Sequence, residues 1–168
     1  MKRIIVYLIE IIVFYVIQTS TFHYFGVGDI MPNLLLILVV SHGYMSGKIN
    51  GLAIGFISGL LVDVVYGDLI GINALLYMII GYFIGYTNKI YANDDYTLPI
   101  IFVAISDLVY NFFYYIFEFL LRGRLDSLYY FSRIVLSEII YTVVVSIFIY
   151  KLLHMINNRL NHKALEEE

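Results

Sequence analysis

Apolar positions along this chain do not alternate, and they do not confine themselves to one helical face. They run in blocks of roughly bilayer length, separated by short polar or glycine-bearing breaks. The blocks are Ile4–Phe25, Ile30–Tyr44, Asn50–Tyr66, Ile70–Thr87, Leu98–Leu121 and Leu128–His154. A hydrocarbon core of ~30 Å takes about 20 apolar residues per helix, so the pattern predicts six transmembrane helices. The second block is short and opens at Met31-Pro32, where proline suits a first helical turn. The breaks are Gly26-Val27-Gly28-Asp29, Ser46-Gly47-Lys48, Gly67-Asp68, Asn93-Asp94-Asp95 and Arg122-Gly123-Arg124. Breaks this brief predict consecutive helices that run antiparallel and pack closely. The expected organisation is one all-α domain over residues 1–156, a polytopic bundle of six transmembrane helices, with a short polar cytoplasmic tail over 157–168.

Composition sharpens the solvent and removes several function classes. Hydrophobic residues make up 61% and charged residues 14% of the 168-residue chain, against about a quarter charged in soluble domains. No Lys/Arg cluster follows nucleic-acid phosphates, so no nucleic acid is expected as partner. Without cysteine there is no disulfide framework, thiolate metal site or thiol nucleophile. Lys2 and Arg3 precede the first block as in a signal peptide, but the run is too long for an h-region and no small-x-small cleavage pattern closes it.

Charge in the breaks predicts orientation. With six spans and both termini cytoplasmic, seven basic residues (Lys2, Arg3, Lys48, Lys89, Lys151, Arg159, Lys163) fall inside and three (Arg122, Arg124, Arg133) outside. If the second block only dipped in and returned, the count would level at five to five. Interface anchors are expected from Tyr24, Tyr66, Tyr129 and Tyr130 outside, and from Tyr86, Tyr91, Tyr96 and Tyr150 inside.

Two sets of residues stand out as candidate sites. Gly51, Gly55 and Gly59 recur every four residues, followed by Asp63, Gly67 and Gly71, with Gly81 and Gly85 repeating the spacing later. Steps of four keep the first three glycines within a stripe ~80° wide on one helix. Such a stripe lets two backbones approach closely in lipid, either within the chain or at a subunit interface. The second set is acidic. Asp107, Asn111, Tyr114 and Glu118 share one face of the fifth block, and Glu138, Thr142 and Ser146 share one face of the sixth. An ionisable group at this depth needs a partner, a proton or a wet cavity. The two faces are expected to meet in an interhelical hydrogen-bond network or around a shared polar cavity. Glu10 is a further acid within a span, and Asp63 near the end of its own could reach Arg122, Arg124 or Arg133.

Catalytic patterns fail on inspection. Gly26-Val27-Gly28-Asp29 fits the Gly-x-Gly-Asp of intramembrane aspartyl proteases but lies in the first break, without a Tyr-Asp partner. Ser58-Gly59 with His154 imitates the Ser–His pair of rhomboid proteases, yet Phe56 stands where that motif has glycine. His23 and His42 are isolated, with no second ligand at metal-binding spacing. The expectation is a protein without catalysis, metal or cofactor.

The stretch from Gly51 to Leu75, with Leu60-Leu61-Val62-Asp63, the turn Gly67, and Gly71 ahead of Ala74-Leu75, resembles the most recognisable segment of MreD, the rod shape-determining membrane protein family. Met31-Pro32-Asn33-Leu34 resembles the Pro-Asp/Asn-Leu opening of that family's second span. The resemblance implies a six-helix fold like that of the substrate-binding subunits of energy-coupling-factor transporters. It also implies a bacterial inner-membrane location and a role in the cell-elongation machinery that supports peptidoglycan synthesis. The implied partners are MreC, the MreB filament, a RodA-type glycosyltransferase and a class B penicillin-binding protein; a second copy of the chain is also a candidate. The alternative is a vitamin-binding subunit of such a transporter. Against it, the first span, Ile4-Ile-Val-Tyr-Leu-Ile-Glu-Ile-Ile-Val-Phe, is bulky and lacks the small-residue stripe those subunits use for docking.

Overall fold

Six α-helices follow one another in the computed structural model, which describes residues 2–21, 31–66, 71–90, 96–117 and 135–166. They are α1 (Lys2–Thr21), α2 (Leu34–Ser46), α3 (Lys48–Tyr66), α4 (Ile72–Gly85), α5 (Thr97–Tyr115) and α6 (Leu136–Glu166), with a 3-10 turn at Tyr86–Ile90. No strand occurs among the described residues. Gly26–Asp29, Gly67, Glu118, Arg122, Arg124 and Arg133 lie outside them.

Four helices, α1, α3, α5 and α6, are long and apolar enough to cross a membrane. The other two are shorter for separate reasons. α4 has 14 residues and continues as the 3-10 turn. α2 has 13 residues, so it is only ~20 Å long. It begins at Leu34, later than the pattern predicts, and Pro32 stands before the helix instead of in its first turn. Asn33 decides the start: its side chain accepts the Leu36 N–H at 3.1 Å and caps the helix.

The apolar periodicity of α2 explains its place. It is hydrophobic all round, which marks a helix enclosed by others. Every residue from Leu34 to Met45 is buried, and α2 touches all five other helices. Its far end is tied down as well, since the Asn88 amide donates to the carbonyls of Tyr44 and Met45, each at 2.8 Å. Around this axis, α1, α3, α5 and α6 turn apolar side chains outward, among them Ile4, Ile12, Val64, Ile105, Ile140 and Phe148. Apolar outside and apolar inside is the arrangement of a bundle solvated by lipid.

One boundary differs from the sequence reading. The Ser46-Gly47-Lys48 break shrinks to Gly47 alone, whose φ of 86° reverses the chain between α2 and α3. α6 continues past residue 156 to Glu166 as one helix of 31 residues, and Asn157 is still buried. Tyr150, expected as an interface anchor, is instead enclosed in the core beside the rings of Tyr96 and His154.

Candidate functional site

The glycine stripe and Asp63 act together to weld α3 onto α4. Gly51, Gly55 and Gly59 face, in that order, the backbone at Gly81, Tyr77 and Asn73–Ala74. The reversed order is what antiparallel helices give, and a methyl group at any of the three would run into a carbonyl of α4. Gly43 on α2 meets Gly81 from another side, and Gly85 lies against Lys48. The stripe is thus filled by a helix of the same chain.

Asp63 closes the end of this weld. Its carboxylate, almost wholly buried, accepts the backbone N–H of Gly71 (3.0 Å), Asn73 (3.0 Å) and Ala74 (2.8 Å) and the Asn73 side-chain amide (3.0 Å). The first turn of any helix leaves N–H groups without intrahelical partners, and its positive end favours an anion. Asp63 supplies both needs from the neighbouring helix. Gly71 can present its N–H because φ there is 111°, a conformation side-chain-bearing residues avoid. The arginines expected as alternative partners of Asp63 lie outside the described residues.

A polar network spreads from Asp63 through the core. The Tyr110 hydroxyl on α5 donates to Asn73 Oδ1 at 2.7 Å, while the Asn73 amide holds Asp63. The Tyr77 hydroxyl on α4 donates to Asn33 Oδ1 at 2.6 Å, and the Asn33 N–H donates to Thr142 Oγ1 on α6 at 3.1 Å. The Tyr77 and Tyr110 rings pack 5.2 Å apart, joining the two branches. From α1, Gln18 Oε1 accepts the Leu35 N–H at 3.1 Å. All six helices therefore contribute.

Of the predicted acidic set, Asp107 and Asn111 on α5 and Glu138 on α6 enter this region. Asn111 is buried and donates to the Asp107 carbonyl within its own helix at 3.0 Å. The Asp107 side chain is fully buried, with the side chains of Thr142 and Asn33 as its polar neighbours. Glu138 is its acidic neighbour and lines a cavity of about 210 Å³. Gln18, Asn33, Tyr77 and Tyr110 form the cavity's other polar wall, and Met31, Pro32 and Val62 the apolar one. This cavity lies at the end of the bundle opposite both chain termini, where α1, α3 and α5 end and α2, α4 and α6 begin.

His42 has the partner that its position in the sequence conceals. Its Nε2 lies 2.8 Å from Glu10 Oε2, both side chains are buried, and the pair joins α2 to α1. The Tyr7 ring stands edge-on to His42 with centroids 4.7 Å apart, and the Tyr7 hydroxyl meets Ser46 Oγ at 3.2 Å. No spacing rule links residues on two helices across a break. Asn33, Asn73, Tyr77 and Tyr110 escaped the sequence reading for the same reason; only the family-like opening at Asn33 pointed near them.

Ser58 Oγ is buried without a hydrogen-bond partner among the described residues, and His154 Nε2 meets the Asn158 amide at 3.0 Å. No group of three or more His, Cys, Asp or Glu able to hold a metal occurs among the described residues. Gly51, Gly55, Gly59, Asp63 and the Gly71–Ala74 start of α4 all lie within the stretch that resembles MreD. No curated protein and no solved structure matches the chain. The family model for the rod shape-determining protein MreD matches residues 1–156. The chain therefore belongs to the MreD family of rod shape-determining membrane proteins.

Proposed function

We propose that this protein is a non-enzymatic subunit of the bacterial cell-elongation complex, which binds MreC in the plane of the membrane and so supports peptidoglycan synthesis and rod shape. The family match over residues 1–156 carries this reading. Under it, all six helices cross the inner membrane and both termini are cytoplasmic, in keeping with the seven-to-three bias of basic residues. The MreB filament, a RodA-type glycosyltransferase and a class B penicillin-binding protein belong to the same assembly. A relation to the six-helix substrate-binding subunits of energy-coupling-factor transporters is part of the proposal. A vitamin-transport role is disfavoured by the outward face of α1, where Ile4, Ile5, Leu8, Ile9 and Ile12 leave no small-residue groove.

Because Gly51, Gly55 and Gly59 are occupied by α4, a partner helix must use other surfaces. The test is co-expression with MreC, with photo-crosslinkers placed on the outward faces of α1, α3 and α6 at Ile9, Phe56 and Phe148. MreC recovered at one face, and cell shape restored by the same chain, is the expected result. Absence of MreC from all faces and from the purified complex would overturn the proposal.

A further inference from the structure

We infer that a membrane glycerolipid binds between α1 and α6, with its polar end at the Glu138 cavity and one hydrocarbon chain in an adjoining apolar slot. α1 and α6 both pack on α2 but scarcely touch each other. The gap between them is a slot of about 460 Å³, walled by Val13 and Ile17 on α1 and by Val145, Phe148 and Leu152 on α6. Its floor is Pro32 and Leu34, where α2 starts. Pro32 is also a wall of the polar cavity of about 210 Å³, so the two spaces adjoin at that ring. Their walls continue into each other along the chain. On α1, Ile17 lines the slot and Gln18 the cavity; on α6, Tyr141 lines the slot and Glu138, about one turn away, lines the cavity.

A space that is polar at one end and apolar over the rest of its length suits an amphiphile. From Tyr141 to Leu152 the slot follows α6 for ~16 Å. A helix of that length, ~10 Å across, would fill ~1,300 Å³, far more than the slot offers. A single hydrocarbon chain fits where a partner helix does not. Val13, Ile17 and Leu152 are about half exposed and Phe148 more so, which opens the slot sideways to the bilayer. Moving a chain from bulk lipid into an apolar slot gains little, because both are equally apolar. The polar end therefore decides residence. Gln18, with Oε1 engaged by the Leu35 N–H, still presents amide N–H donors. Tyr77 and Tyr110, whose protons go to Asn33 and Asn73, present oxygen lone pairs. Donors and acceptors together suit the ester carbonyls and hydroxyls of a glycerolipid without selecting a charge. The cavity end lies opposite both chain termini, so the lipid belongs to the leaflet on that side. The lipid site rests on the reading that these helices cross the bilayer, and not on the partnership with MreC.

The experiment reconstitutes the full-length chain in phosphatidylglycerol vesicles doped with phosphatidylglycerol that carries a diazirine, either at the end of one acyl chain or beside its glycerol ester. Adducts are mapped by mass spectrometry after illumination. The glycerol-side probe should mark Met31 or Glu138, and the chain-end probe Phe148 or Leu152. Labelling there should exceed that of Phe56 on α3 and Ile105 on α5, outward residues that do not line the slot, by roughly 10-fold, the ratio one well-made hydrogen bond at the polar end sustains. Val13→Trp, which fills the slot from a half-exposed position, should abolish the excess, and Ile105→Trp should keep it. Even labelling of all outward faces, exchange of the two probes' marks, or an excess that survives Val13→Trp would overturn the lipid site while leaving the helices in the bilayer. No labelling of any outward face would overturn it together with the membrane-spanning reading.

Discussion

The Asp63 carboxylate, at the end of α3, accepts the Ala74 N–H at 2.8 Å and holds two further N–H groups of the α4 start. One side chain thus does for α4 what a local N-cap does elsewhere, but across a helix pair. Gly71, in the N-cap position of α4, contributes no side chain of its own. The weld and the cap depend on each other: the glycines bring α3 close enough for Asp63 to reach, and Asp63 fixes the register in which the glycines meet α4.

Replacing Asp63 tests that dependence. Asp63→Ala leaves buried backbone donors without an acceptor and is expected to cost about 2 kcal/mol, the upper end for losing a cap. Asp63→Asn keeps one acceptor oxygen and should lie between. Thermal unfolding in detergent, followed by circular dichroism, should rank wild type above Asn above Ala. Equal midpoints would show that the cap contributes nothing to stability.

Gly55→Ala adds one methyl against the Tyr77 carbonyl, with backbone and no flexible side chain in the way. The helices must separate, at a cost of ~1–3 kcal/mol for overpacking. Ala53, two residues earlier and on the exposed face of α3, serves as control. Ala53→Val should leave the melting midpoint nearly unchanged while Gly55→Ala lowers it; the reverse order would contradict the packing described.

Glu10 and His42 should behave as a unit. Removal of either leaves the other buried and unpaired, which costs more than removal of both. A double-mutant cycle of Glu10→Leu and His42→Leu, read from unfolding midpoints, should therefore be strongly non-additive, with coupling of about 1 kcal/mol or more. Additive effects would mean the two side chains do not interact.

Tyr77→Phe deletes the hydroxyl that donates to Asn33 and should cost about 0.6 kcal/mol, typical of an interhelical hydrogen bond in a membrane protein. Asn33→Ala also removes the cap of α2 and should cost visibly more. A Tyr77→Phe variant less stable than Asn33→Ala would place the main role on Tyr77 instead.

Legibility followed the range of the interaction. The six helices are evident in the apolar blocks, because in lipid only a closed backbone ladder is tolerated and its length is set by the bilayer. The glycine spacing announces a close helix contact, and the isolated Asp63 announces a buried charge that needs compensation. Their resolution was another matter. Whether the stripe serves α4 or a second chain, and whether Asp63 meets an arginine or a helix end, depends on which surfaces face each other.

What the chain alone determined is thus its solvent, its helices, its family-like segment and the residues that could not be left unpaired. The tertiary structure decided the pairings. Asn33 meets Tyr77, 44 positions away, and Glu10 meets His42, 32 positions away. Periodicity reports which face of a helix a residue occupies, but it carries no information on the helix opposite. That choice is made by α2, a short helix apolar on every side, which reaches its lowest free energy only when the other five enclose it.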